Sequence, residues 1–149
     1  MKMQMNNVPE KYIIIYSDRH ESYDLFRDLK NRADVQLIVT RPKKISGKLL
    51  KKIRKIHLSG TIANHLRLPF KSAWYEKLNI ETDENVQYYL MVVDMALSSI
   101  PLPYFKKIAA KPNVKTILIM INSMRSNTMR QVRKEFHETA WDAVLTFDD

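Results

Sequence analysis

Apolar positions along the chain fall into five short runs, separated by stretches in which they recur at helical spacing. "KYIIIYSD" reads as a buried first strand near residues 12–17, and "DVQLIVT" as a second near 34–40. "QYYLMVVD", "VKTILIMIN" and "DAVLTF" read as three more, near 87–93, 115–121 and 143–147, the last also short, apolar and buried. Between the first two, "ESYDLFRDLKNRA" places Leu25, Phe26, Leu29 and Ala33 on one helical face. "SGKLLKKIRKIH" repeats that spacing with Ile45, Leu49, Ile53 and Ile56, and lysines cover the rest of its surface. "PLPYFKKIAAK" predicts a helix whose prolines suit a first turn. "SNTMRQVRKEFHETA" predicts another, with Met129, Val132, Phe136 and Ala140 facing inward. Residues 58–85 read as short helix mixed with loop.

Strands alternating with helices predict an α/β fold: one Rossmann-like, doubly wound domain with a five-stranded, mostly parallel sheet and helices on both faces. Right-handed crossovers leave 3-2-1-4-5 and 2-1-3-4-5 as strand orders, and 3-2-1-4-5 is preferred. Residues 1–11 read as an N-terminal extension and 12–149 as the domain, a length that supports one hydrophobic core.

Composition narrows the chemistry. Without cysteine, disulfides, thiolate nucleophiles and Cys-based zinc sites are excluded. The opening "MKMQMNNVPEK" lacks the apolar core of a signal peptide, and no apolar run reaches the ~20 residues of a spanning helix, so a soluble, cytoplasmic protein is expected. The only glycines are Gly47 and Gly60, which excludes a G-x-G-x-x-G turn and a P-loop. No cofactor-binding residues are therefore assigned. His20, His57, His65 and His137 lie far apart, and no metal site is assigned.

Charge is concentrated in one place. The chain carries a net +9, yet Arg41 to Lys71 holds ten basic residues and no acidic one. Outside it, 15 basic residues face 16 acidic ones, a net of −1. A lysine-rich helix face is often merely solvated. Ten cations without a counter-charge favour an amphipathic surface for anionic lipid or nucleic acid instead, with Lys48, Lys51, Lys52, Arg54 and Lys55 as the contacts. An anionic membrane is the preferred partner and nucleic acid the less favoured one. Trp74, Tyr75, Tyr88 and Tyr89 read as packing residues rather than base-stacking platforms.

A parallel sheet gathers the carboxyl ends of its strands at one edge, where ligands sit in such folds. Asp18, Arg19 and His20 follow the first strand, Asp94 ends the third, Asn122 and Ser123 end the fourth, and Asp148 follows the fifth. His20 has the chemistry of a general base, and Asp94 or Asp18 that of an orienting carboxylate. The plainer reading is that polar loop residues cap the helices that follow.

"YYLMVVDMALSSIPLPYFKKIAAKPNVKTILIMINSM", followed by "WDAVLTFDD", resembles the amino-terminal domain of bacterial GT-B-type glycosyltransferases and glycosyltransferase-like proteins of surface-polysaccharide synthesis. The family pattern runs from a strand and small-residue turn into a helix opening near "LSPEFL". A lysine-rich helix end, a strand leading to a polar turn, and a last strand reading "TFD" follow. "VTRPKK", "KLLKKIRKIHL" and "WYEKLN" are similar in type and order, so the resemblance spans roughly Tyr12 to Asp149. Where the family commonly has a tryptophan-aspartate pair, this chain has Ile121 and Asn122. The resemblance implies an acceptor-side domain at the inner membrane face, inactive alone. A lipid-linked acceptor would be its partner, and a separate domain or chain would grip the nucleotide-sugar donor.

A second resemblance competes with the first. "MVVDMALSSIPLP" is similar to the strand-end phospho-accepting aspartate and nearby proline of receiver domains, which implies a non-enzymatic regulatory or binding module. Receivers place a lysine after the fifth strand, where this chain has Asp148 and Asp149, and their acidic pair on the first strand is missing.

Overall fold

The computed structural model describes residues 8–18, 27–58, 71–121, 136 and 140–146. The expected helix around Met129 and Val132 and most of the one around Leu25 and Phe26 lie outside these residues. Along the chain run β1 (Glu10–Ser17), β2 (Val35–Thr40), α1 (Lys48–Leu58), β3 (Gln87–Val93), α2 (Leu102–Ala109), β4 (Val114–Met120) and β5 (Ala143–Thr146). Short 3-10 turns occupy Asp28–Asn31, Lys71–Trp74 and Asp94–Ser99.

All five strands are parallel and lie in the order β2-β1-β3-β4-β5. The α/β doubly wound architecture stands; the preferred order does not, and the alternative 2-1-3-4-5 is the one found. Burial accounts for it. β1, β3 and β4 carry the buried apolar residues and sit inside the sheet, as strands covered on both faces must. β2 bears an exposed Gln36 and is half-buried from Leu37 to Val39, with only Thr40 fully buried, which an edge position tolerates.

The register aligns apolar rows across the sheet. Ile38, Ile15, Val92, Leu118 and Val144 form one row, and Leu37, Ile14, Met91, Ile117 and Ala143 the next. Successive rows point to opposite faces. On the first face Ile13, Ile15, Leu90, Val92 and Leu118 meet Phe105 and Ile108 of α2, with Phe136. Phe105 packs edge-on to Phe136 and lies 5.1 Å from the Trp141 ring. On the second face Ile14, Tyr16, Val93 and Ile119 pack with Leu29.

α2 starts where its prolines predict. Pro101 holds an extended backbone at the N-cap and Pro103 lies in the first turn, where no N–H partner is lost. The stretch 75–86 forms no helix or strand and is pinned by aromatic hydroxyls. Tyr104 accepts the Ile80 N–H at 3.0 Å and Tyr88 accepts the Asp83 N–H at 3.2 Å. Tyr89 stacks on Tyr12 at 5.1 Å and donates to Glu10. Of the aromatic residues expected to pack, Tyr88 lies in the core.

β1 begins at Glu10, two residues before the expected strand start. Two further expectations are corrected. Ala33 is exposed in a turn, because the chain after Arg27 winds into a single 3-10 turn, Asp28–Asn31, that ends before it. The segment "AVLT" is not buried: every residue of β5 is exposed, since among the described residues it packs chiefly against β4, and Val144 and Leu145 stand 50% and 45% open.

Candidate functional site

With β2 on one side of β1 and β3 on the other, the order in which strands are added across the sheet reverses at β1. The crevice of such a sheet opens beyond the carboxyl ends of the two strands flanking that reversal. Two residues past the last β1–β3 pair, Ile15 with Val92, come Ser17 and Asp94, so these two residues and Asp18 mark the crevice. Ser17 is buried, and its hydroxyl donates to Asp18 Oδ1 at 3.1 Å. Thr40, at the end of β2, is also buried and donates to the Tyr16 carbonyl at 3.3 Å. A threonine ending a strand gives no signal in sequence that it ties two strands together at this edge.

Asp94 is 1% exposed and opens the 3-10 turn Asp94–Ser99. Its Oδ2 accepts the backbone N–H of Ile121 at 3.0 Å, the residue just after β4. Ser99 closes the same turn by donating to the Ala96 carbonyl at 2.6 Å. The aspartate therefore joins the exits of β3 and β4 by accepting a strand-end N–H. Asp18 and Asp94 thus share one edge of the sheet. Arg19, His20, Asn122, Ser123 and Asp148 lie outside the described residues.

β5 is attached through a second carboxylate. Asp142 Oδ2 accepts the Thr116 N–H at 2.7 Å, while the Asp142 N–H donates to the Thr116 carbonyl at 2.9 Å. The Thr116 N–H holds the Asp142 carboxyl below the usual aspartate range, helped by Lys115 at 3.7 Å and opposed by partial desolvation.

The basic helix forms a separate surface. Gly47, at φ +91°, supplies a backbone conformation that side-chain-bearing residues avoid, and its carbonyl accepts the Lys51 N–H as the helix begins. The helix is held to the domain along one side. Arg54 donates to the Lys43 carbonyl at 3.0 Å, and Trp74 Nε1 donates to His57 Nδ1 at 2.6 Å. Lys43 in turn pairs through its backbone with Trp74, extending the contact between residues 41–43 and 74–76. Arg54 thus has a positioning role in addition to its charge.

No residue of α1 is buried. Lys48, Lys51, Lys52 and Lys55 are exposed, as on an anion-binding face and equally on a merely solvated one. Leu49, Ile53 and Ile56, which recur at helical spacing, are 72%, 44% and 43% exposed, and Leu50 is open beside them. Helical spacing identifies an apolar stripe but not whether the protein covers it.

Among the described residues no group of three or more histidines and carboxylates is placed to hold a metal ion. No helix among them is long and apolar enough to cross a membrane. No family model matches this chain, and no curated protein or solved structure matches it.

Proposed function

We propose that this chain is the acceptor-side domain of a glycosyltransferase-like protein of bacterial surface-polysaccharide synthesis, acting at the cytoplasmic face of the inner membrane on a lipid-linked acceptor. The reading rests on the resemblance of its second half, and one observation carries it onto the molecule. The segments that bear the resemblance build the crevice edge: "VVDMALSSIPLPYF" runs from β3 through the Asp94 turn into α2, and "KPNVKTILIMINS" supplies β4. A strand-turn-helix at the switch point is where a Rossmann-like domain presents residues to a substrate.

A donor diphosphate needs backbone that approaches it closely, usually glycine-rich turns at a helix N-terminus. Neither Gly47 nor Gly60 follows β1, β3 or β4. This domain therefore supplies the acceptor wall, and the donor is gripped by another domain or chain. Calorimetric titration of the 149-residue chain with a panel of nucleotide-sugars tests the division of labour. The expected result is no micromolar binding; micromolar binding would place the donor site within this chain and overturn the reading.

The rival, a receiver-like regulatory module, is favoured by the 2-1-3-4-5 order with an aspartate ending β3. An aspartate that accepts a phosphoryl group must present an open oxygen to the donor. Asp94 is 1% exposed and bonds the Ile121 N–H, which favours the pinning role. Incubation with a small-molecule phosphodonor and Mg2+ followed by intact mass separates the two: phosphate on Asp94 would select the regulatory module.

A further inference from the structure

The lysines of α1 and its open apolar stripe form one surface. Leu49, Ile53 and Ile56 recur at i, i+4 and i+7, and Lys48, Lys52 and Lys55 repeat the same interval one residue earlier. At 3.6 residues per turn the two stripes lie side by side along the helix, about 100° apart, with Lys51 extending the cationic one. Arg54 and His57 occupy the side tied to the domain. The helix is thus fixed to the body by one side, while its apolar and cationic stripes both face outward. No ion pair among the described residues engages Lys48, Lys51, Lys52 or Lys55.

We infer that α1 is an interfacial membrane helix. It lies in the plane of an anionic lipid surface, its Leu49, Ile53 and Ile56 stripe sunk among the acyl chains and its lysines at the phosphates. The choice of occupant follows from the two stripes together. A nucleic acid offers phosphates to the lysines but no apolar phase to the leucine and isoleucines. A second copy of α1 would bring cations against cations. An anionic bilayer interface satisfies both stripes at once, the arrangement of helices that lie on membranes rather than cross them. At 11 residues α1 is about 16 Å long, far too short to span. The inference deepens the proposed location of the domain but stands on the helix alone.

The test uses the full chain and vesicles of phosphatidylcholine with or without 30% phosphatidylglycerol, a chosen composition of roughly physiological anionic content. Binding to the anionic vesicles is expected, weakened by salt. Lys51→Gln with Lys52→Gln should reduce partitioning roughly 25-fold, about fivefold for each lysine near the surface. Leu49→Ser with Ile53→Ser should reduce it roughly tenfold or more at unchanged charge. All four positions are exposed, so thermal unfolding midpoints should stay at the parent value and confirm folding.

Because the chain contains no cysteine, single Ile53→Cys and Lys55→Cys variants accept an environment-sensitive fluorophore at one site each. The label at position 53 should shift to the blue on anionic vesicles, and the label at 55 should not. Equal shifts, or vesicle binding indifferent to the Leu49 and Ile53 changes, would reduce the surface to electrostatic adsorption and overturn the inference. So would failure to bind anionic vesicles, whether alone, with preference for a nucleic acid duplex, or with a dimer that the serine variant dissociates. The assay contains neither donor nor acceptor sugar, so its failure leaves the acceptor-side reading to be judged by titration.

Discussion

Replacing Asp94 separates a pin from a reactive group. In the parent chain its carboxylate is buried and accepts the Ile121 N–H at 3.0 Å, holding the exit of β3 against the exit of β4. Asp94→Ala removes the acceptor and leaves a partly buried donor unsatisfied, which costs about 1–3 kcal/mol. For a chain of 149 residues, taking roughly 2 kcal/mol lowers the thermal midpoint by about 4–8 °C. Asp94→Asn keeps the shape and retains a carbonyl oxygen for Ile121, so its loss should be no more than about half as large. Differential scanning calorimetry gives both midpoints, and amide exchange at Ile121 reports the bond directly. The reasoning fails if the alanine variant melts with the parent, or if exchange at Ile121 is unchanged in it. Asp94 would then be free of a structural duty, and a reactive role would gain ground.

Other expectations follow from the same geometry. Leu90→Ala, at a 1% exposed position in β3, should cost about 2–5 kcal/mol, whereas Leu145→Ala on the open edge strand should cost under about 0.5 kcal/mol; urea denaturation compares them. The Asp142 carboxyl is held below its unfolded value by the Thr116 N–H, so the stability it contributes is present above that unfolded value and lost as pH falls through the folded one. The gap in melting temperature between the parent and Asp142→Asn should therefore be full near neutrality and narrow below about pH 4, and a constant gap would refute the linkage. Trp74→Phe removes the 2.6 Å bond to His57, and hydrogen exchange should accelerate in α1 while β1 and β3 stay protected.

How far the chain discloses itself depends on the range of the interaction. The five strands were legible because β-branched runs such as "KYIIIYS" and "VKTILIM" have no other stable home, and the prolines of "PLPYF" mark where α2 can begin. Strand order was not legible, since periodicity records which face of a strand is apolar and not which strand lies beside it. For the same reason "AVLT" reads as buried although its edge position leaves it open. In α1 the spacing of Leu49, Ile53 and Ile56 is the same for a helix packed on a core and for one laid on a membrane. The crevice was legible in part: Asp18 and Asp94 reach the expected edge, but the bond that occupies Asp94 joins residues 27 positions apart and has no local signature. The His57–Trp74 pair, 17 positions apart, is hidden in the same way.

Under the proposed function the carboxyl edge of β1 and β3 receives an acceptor and not a nucleotide-sugar. Backbone amide chemical shifts of the labelled chain, titrated first with a short-chain polyprenyl-phosphate-linked sugar and then with a nucleotide-sugar, test it most directly. The account predicts saturable shifts at Ser17, Asp18, Asp94 and Ala96 with the lipid-linked sugar, and none there with the nucleotide-sugar. Saturable shifts at that edge with the nucleotide-sugar, or no shifts there with the lipid-linked one, would contradict it.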